Sequence, residues 1–467
     1  MVIIIKKILA VLLIIAFSMS AVSVSGVTSE LYDNGDVDRS GSVTISDANL
    51  IQRSLIFLEK LDSAQAELAD YNLDGSVNIL DVTEIQMTLA DYKQAPAEKS
   101  PNPTVGANVK IYFSNNKNWS KVYFYLYNSA TESAEAAWPG RQVTSYTLNE
   151  SGEKVYSRTV NVDTYDRIIF TDGNKQTVNI PLCRASSGFF ISDSSNSKAM
   201  LVGTYAYTGA DAGTIETTTL SYPSGYNKKI WVWTPADYRA TGKKYRTVYV
   251  MDGQNLFDGD HQDNFGGWEV TDAVESMMSN GGRGVIIVGI DNGNSYRDSE
   301  LTPDLGEVVP SYRKEFSKRT GEQFSDFVVN TVMPFVQKNY NSSRHPDDNM
   351  IAGSSSGGLE AFYIGLENPD KFSMIGALSP AFLLFDDSVW DSYLSRFDLS
   401  SEQIPALYLY NGNGDYENEL YPDFIAMYNR LEMLGYRKMK CSTEENAAHN
   451  EAFWRIVFPE AISWCLL

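Results

Sequence analysis

Cysteine is scarce: the 467 residues hold three, Cys183, Cys441 and Cys465. They form no C-x-x-C pair and their count is odd, so neither a disulfide framework nor a thiolate zinc site is implied. Positive charge is short as well, with 38 Lys and Arg against 59 Asp and Glu and a net charge near −21. Nucleic acid and anionic membranes repel such a surface, which argues against both as partners. Long apolar runs are also missing. The run Ile8 to Phe17 falls short of the roughly 20 residues that a membrane-spanning helix needs. Lys6 and Lys7 precede it and small residues follow from Ala21 to Gly26, the pattern of a secretory signal peptide over 1–25, with a membrane anchor as the competing reading. Histidine is the last scarcity, at His261, His345 and His449.

Acid is what the chain has, and much of it is patterned. Residues 36 to 47 read DVDRSGSVTISD and residues 70 to 81 read DYNLDGSVNILD, one twelve-residue pattern used twice. Oxygen side chains fall at loop positions 1, 3, 5, 9 and 12, position 7 offers a backbone carbonyl, and glycine stands at 6 where the chain must turn. The expected calcium ligands are Asp36, Asp38, Ser40, Ser42, Thr44 and Asp47 in the first loop. In the second they are Asp70, Asn72, Asp74, Ser76, Asn78 and Asp81, with Gly41 and Gly75 as the turns. A solvated acidic loop is the blander alternative, but it would not repeat this spacing.

Position 12 is Asp rather than Glu, and each loop runs into a single helical stretch, ANLIQRSL and VTEIQMTL. In these features residues 31 to 93 resemble a type I dockerin, the calcium-dependent module that docks bacterial cellulosome enzymes onto scaffoldin cohesins. The resemblance implies two structural calcium ions, a cohesin partner, and Ile45, Ser46, Ile79 and Leu80 as the docking face. Ser40 departs from the usual Asp or Asn, an expected weakening of the first site, and the module lies near the N-terminus rather than the C-terminus.

QAPAEKSPNPTVG follows as a proline-rich linker over 94–107. Beyond it the chain alternates in period two through VKIYFS, KVYFYLYN, EKVYSRTVNV and RIIFT, the signature of an all-β sandwich over 108–208. In KVYFYLYN, Phe124 and Leu126 share one face and Tyr123, Tyr125 and Tyr127 the other. From alternation alone, the tyrosines serve equally well as an adhesive strip or as the cover of a second sheet. With AAWPG at 136 to 140 and FTDGNKQTVNI after it, the segment resembles the starch-binding modules of carbohydrate-binding family twenty-six. That resemblance implies that Tyr125, Tyr127 and Trp138 grip a glucan, a role suited to rings that stack on sugar C–H faces.

Residues 209–467 alternate apolar strands with amphipathic helices, which predicts a mostly parallel sheet covered on both faces, with an active site beyond the strands' carboxyl ends. The chain is thus expected to be multidomain: a signal peptide over 1–25, a small helical calcium-binding module over 26–93, a β-sandwich and an α/β-hydrolase domain. In DDNMIAGSSSGGLEAFYIG, only Gly353, Ser355 and Gly357 give G-x-S-x-G, between a strand and a helix. That is the pattern of a nucleophile elbow, and no Lys-Ser/Thr follows to make it a phosphate loop.

A serine hydroxyl needs a base. His345 precedes the elbow strand and His261 lies in a polar loop, whereas His449 falls near the C-terminus, where the order Ser, acid, His requires it. The acid is expected at Asp415, directly after the strand ALYLYNG. Glu417 and Glu419 fall at what reads as a helix start, where an acid has a dipole role of its own. The oxyanion hole is expected from the N–H groups of Gln254 and Ser356.

VYVMDGQNLFD, AGSSSGGLEAFY and HNEAFWR together resemble the putative esterase D and enterochelin-esterase superfamily, which includes carbohydrate esterase family one with its feruloyl and acetylxylan esterases. By that resemblance the triad is Ser355, Asp415 and His449, with no cofactor in catalysis. Asp252 departs from the His of the common H-G oxyanion motif. The implied function is a secreted esterase for acyl groups on plant polysaccharide, held on a scaffold at the cell surface or in a free multienzyme complex. The alternative is a catalytically spent hydrolase domain that serves glucan adhesion and cohesin docking. Specificity falls to loops such as 292–324, which leaves the acyl group and sugar open.

Overall fold

The computed structural model describes residues 32–466 except 33, 57, 73–75, 90–106, 150, 185, 194–198, 206–212, 224, 226, 237, 239–243, 258–266, 272–273 and 276–283. The signal-peptide and linker expectations, His261, Asp74 and Gly75 lie outside the described residues. Among the described residues no helix is long and apolar enough to cross a membrane.

Each twelve-residue loop delivers the chain into a helix, α1 (Ile45–Leu55) and α3 (Ile79–Leu89), with α2 (Ser63–Ala69) between them. Thr44 caps α1: its side chain accepts from Ser46 N–H while Asp47 reaches back to Thr44 N–H, satisfying donors that a helix start leaves open. Val37, Ala48, Ile51, Leu68, Tyr71, Val82 and Ile85 make the small core of this unit. Ile45, Ile79 and Leu80 remain more than half exposed.

The next nine strands are β1 (Asn108–Ser114), β2 (Val122–Tyr127), β3 (Arg141–Val143), β4 (Tyr146–Leu148), β5 (Lys154–Asn161), β6 (Arg167–Thr171), β7 (Ile180–Pro181), β8 (Ser187–Asp193) and β9 (Leu201–Tyr205). They form sheets in the orders β4-β5-β1-β8-β9 and β3-β2-β6-β7. Phe113, Phe124, Leu126, Phe170 and Phe189 fill the space between them.

The last eight strands build one sheet, in the order β10-β11-β13-β12-β14-β15-β16-β17. Its members are β10 (Thr214–Ser221), β11 (Asn227–Thr234), β12 (Arg246–Met251), β13 (Val285–Ile290), β14 (Asn349–Ser354), β15 (Met374–Leu378), β16 (Ala406–Gly412) and β17 (Met439–Glu444). From β13 to β17 neighbours run parallel, and alternate residues feed two cores. Tyr249, Ile351, Ile375 and Leu407 face one side, Val248, Met350, Met374 and Tyr408 the other. This two-sided burial explains why these strands read as nearly unbroken apolar runs.

Helices α4 (Ser356–Glu367) and α5 (Glu417–Met433) pack on the first side, through residues such as Phe362 and Phe424. Helix α6 (Glu451–Leu466) serves two cores at once. Trp454, Val457, Phe458 and Ile462 join the hydrolase sheet, while Phe453 and Ile456 enter the core of the β-sandwich. Sandwich and hydrolase accordingly form one compact unit.

Candidate active site

Ser355 stands between β14 and α4 with φ 58° and ψ −126°, a backbone region that costs a non-glycine residue on the order of 1–3 kcal/mol. The surroundings hold it there: Ser355 N–H donates to Leu378 C=O at 2.9 Å, and Ser355 C=O accepts from Ala381 N–H at 3.2 Å. Gly353 permits the turn, since a Cβ there would fall 2.4 Å from Gly357 O. Ser355 is half-buried, whereas Ser354 and Ser356 are buried. Ser356 opens α4, so its N–H has no intrahelical acceptor.

His449 lies in the segment between β17 and α6, at the same carboxyl end of the sheet. Its Nδ1 is 3.3 Å from Glu417 Oε1, near enough for a hydrogen bond but out of line for one, as catalytic pairs often are before substrate binds. Glu417 is fully buried. Ser379 Oγ donates to Glu417 Oε1 in a short hydrogen bond and accepts from Trp454 Nε1 at 3.0 Å. The rings of Trp454 and Tyr416 stand edge-on to the imidazole at 4.9 and 5.2 Å.

The structure therefore brings Glu417 to His449 where the sequence reading expected Asp415. Asp415 adopts a left-handed conformation, φ 42°, and is exposed. Glu417 is the first residue of α5, and helical side chains tilt toward the N-terminus of their helix, which carries its carboxylate back over the sheet's end. Glu419 is exposed. His345 lies at the opposite, amino end of β14, where its Nδ1 accepts from Asp347 N–H at 3.2 Å.

Gln254 sits in the single turn Gly253–Asn255 beyond β12. That turn touches the elbow, since a Cβ on Gly357 would lie 3.1 Å from Asp252 Oδ2 and 3.2 Å from Met251 Cβ. Asp252 has φ 56° and is buried. Arg297 grips it as a fork, Nε to Oδ1 at 2.7 Å and Nη2 to Oδ2 at 2.8 Å, and Asn292 Nδ2 adds a third bond at 2.6 Å. Where the related motif has His, a carboxylate and a guanidinium here fix the turn. The side-chain amide of Gln254 is buried with neither polar atom paired, an unusual state that a bound group would relieve. No motif announced Ser379; Asn292 and Arg297 were visible only as part of the loop 292–324, and Trp454 only as a residue of HNEAFWR with no role assigned to it.

In the sandwich, the rings of Tyr125 and Tyr127 lie 5.7 Å apart and those of Tyr125 and Trp138 5.2 Å apart. Both tyrosines are half-buried and Trp138 is exposed. Gly140 lets the Trp138 turn lie against β2: its φ is +93°, and a Cβ would meet Phe124 O at 2.5 Å. The tyrosines do not cover a second sheet, because Phe124 and Leu126 on the other face do that.

In the first acidic loop, Asp36, Asp38 and Asp47 present carboxylate oxygens within 4.8 Å of one another. Asp36 and Asp47 are fully buried, and burial together with the charges of Asp47 and Asp38 raises the Asp36 carboxyl above its ordinary value. Converging hard oxygens of like charge fit a calcium ion. Ser40 Oγ bonds to Ser42 O at 3.3 Å. Both loops orient their last Asp alike. Asp47 accepts from Asp38 and Thr44 N–H at 2.9 and 2.8 Å, and Asp81 from Asn72 and Asn78 N–H at 3.2 and 2.7 Å. Asp70 is half-buried and Ser76 exposed.

Comparison with known proteins fits these three parts. Residues 34–90 match the dockerin type I domain and residues 111–181 starch-binding module 26. Over 163 residues the chain is 24% identical to an uncharacterized protein, YbbA, of Bacillus subtilis (strain 168), covering 35% of this chain and 60% of that protein. Over 249 residues it is 22% identical to an endo-1,4-beta-xylanase/feruloyl esterase of Xylanibacter ruminicola, covering 52% of this chain but 28% of that protein. Among solved structures, the siderophore hydrolase EstA from Aspergillus nidulans aligns with 56% of this chain and 96% of its own, at 20% identity and a TM-score of 0.44. The enterobactin esterase FES from Shigella flexneri aligns with 78% and 95%, at 14% identity and a TM-score of 0.45. Residues 224–464, just over half of the sequence, match the putative esterase family, and the chain belongs to that family.

Proposed function

We propose that this chain is a secreted serine esterase that removes acyl groups, acetyl or feruloyl, from plant polysaccharide while docked on a scaffold. Ser355 is the nucleophile, His449 the general base and Glu417 the acid that orients it; the N–H groups of Ser356 and Gln254 receive the oxyanion. Ser355 Oγ attacks the ester carbonyl as His449 takes its proton, and the oxyanion forms against the two N–H donors. His449 returns the proton to the departing sugar oxygen, and water then frees the acid from the acyl-enzyme by the same route.

The observation that carries this reading is a strained, half-buried serine at the same end of the sheet as an imidazole backed by a buried carboxylate. A spent site would have little cause to retain that arrangement. Tyr125, Tyr127 and Trp138 hold an α-glucan. Two calcium ions shape the dockerin, one on Asp36, Asp38, Ser40, Ser42, Thr44 and Asp47 and one on Asp70, Asn72, Asp74, Ser76, Asn78 and Asp81. Ile45, Ser46, Ile79 and Leu80 face a cohesin. Hydrolysis of p-nitrophenyl acetate tests the chemistry. Wild type should turn it over and Ser355→Ala should not; equal rates in the two would refute the assignment.

A further inference from the structure

The sandwich is locked to the hydrolase by a buried charge cluster. Arg167, the first residue of β6, is 4% exposed. Its guanidinium donates to Glu444 Oε1 at 2.5 Å, Glu460 Oε1 at 3.1 Å and Ser442 Oγ at 2.9 Å, all in the hydrolase. Separating these groups would strand buried charges, which is far costlier than breaking a surface contact. Around the cluster, Ala447, Phe453 and Ile456 of the hydrolase belong to the sandwich's own core.

The lock sits at the active end of the sheet. Glu444 ends β17 opposite Gly412 of β16, and its carbonyl accepts from Asn413 N–H at 3.2 Å. The residues that follow, 445–449, lead to His449. On the other side of the lock, Tyr127 pairs in register with Arg167 across β2 and β6, so both side chains leave the same face of the four-stranded sheet. Burial and the nearby charge of Glu444 raise the Tyr127 phenol above its ordinary value. Tyr125 adjoins Tyr127, and Trp138 adjoins Tyr125.

We infer that the aromatic strip and Ser355 belong to one substrate surface, and that the ester cleaved is carried on the same α-glucan chain that the strip holds. This rests on the serine-esterase reading above. A module on a flexible tether raises the local concentration of any polymer nearby, whichever sugar carries the ester. A module fixed at the rim of the catalytic end, by contrast, holds its sugar chain at a constant distance from the residues 444–449 that lead to His449. In the reaction Ser355 Oγ bonds to the acyl carbon, the bond from that carbon to the sugar oxygen breaks, and the sugar oxygen takes the proton from His449. Water then releases the carboxylic acid, so the glucan leaves with a free hydroxyl.

The test compares partially acetylated maltoheptaose with acetylated xyloheptaose of equal acetyl content, using the full chain as wild type and as Trp138→Ala. Wild type should show the lower KM on the malto-oligosaccharide. In the variant the ratio of the two KM values, malto over xylo, should rise about tenfold, the loss expected for one stacking ring. Unsubstituted maltoheptaose should inhibit deacetylation of the malto-oligosaccharide competitively in wild type. An unchanged KM ratio, a lower KM on the xylo-oligosaccharide in wild type, or no inhibition by maltoheptaose would overturn the inference. Turnover of p-nitrophenyl acetate by wild type separates the two readings: its absence defeats the esterase assignment itself, whereas its presence with any of those three results defeats the shared surface alone.

Discussion

Replacing Glu417 with Gln keeps the side chain's shape and removes its charge. The amide must then face two partners at once, the Ser379 hydroxyl, which donates to Oε1, and His449 Nδ1 at 3.3 Å. If its oxygen takes the place of Oε1, it faces both Ser379 and Nδ1, and its NH2 group is buried where Oε2 has no hydrogen-bond partner. If the amide turns over, the NH2 group meets both the serine hydroxyl, which already accepts from Trp454 Nε1, and Nδ1, where it selects the imidazole tautomer with the proton on Nε2, which cannot take a proton from Ser355. Either way the imidazolium formed during attack loses its buried counter-charge. Loss of a triad acid lowers kcat by roughly 10⁴-fold, equivalent to about 5 kcal/mol of transition-state stabilisation. Asp415→Asn and Glu419→Gln change exposed side chains and should each cost less than about tenfold. The assay is kcat on p-nitrophenyl acetate at pH 7.5 for the three variants, with melting curves to confirm that each is folded. A Glu417→Gln enzyme within tenfold of wild type, or a collapse confined to Asp415→Asn, would refute the argument.

Calcium should order the dockerin, because Asp36 and Asp47 are buried beside Asp38 with like charges to neutralise. Chelator should speed proteolytic cleavage within residues 32–89 of the full chain, and an unchanged cleavage rate would count against calcium there. Glu360 on α4 is buried with neither oxygen hydrogen-bonded, and burial, with a smaller push from Glu322, raises its carboxyl well above the ordinary value. The unfolded chain releases this proton near pH ~4.3 while the folded chain keeps it, so its stabilising effect is whole below that pH and is lost as pH rises toward the folded value. Glu360→Gln should therefore raise the melting temperature by about 3 °C at pH 7.5, with a smaller gain at pH 5; equal gains at both pH values would show that the proton is not involved.

The turn that carries Ser355 was legible because three constraints coincide within a few residues: a strand buried on both faces, glycines at a close approach, and a helix start. The end of the sheet at which His449 lies followed from chain order. Glu417 was not legible, since its position depends on a left-handed residue at 415 and on the tilt of the first turn of α5, neither of which leaves a spacing signal. The alternation in β2 assigned two faces correctly but not which one is wet; Phe113 and Phe170, which stack at 4.4 Å beside Phe124, decide that from other strands. Arg297 and Asp252 are 45 residues apart in sequence, and nothing local in either stretch names the other. Arg167 and Glu444 are separated by 277 residues, so the bond between two modules was invisible to a reading that divides the chain into segments.

Helix α6 has a consequence for how this architecture is inherited. Its first turns carry residues for two cores, and it directly follows the segment holding His449. Shortening the chain to begin at residue 209 would uncover Phe453 and Ile456 as a sticky stripe beside the active end and leave Glu444 and Glu460 without Arg167. Recombination that exchanges the sugar-binding part for another must therefore also rewrite α6 and β17. Selection on catalysis thus falls on the sandwich too, and the two modules are constrained to evolve as a single gene segment rather than as interchangeable cassettes.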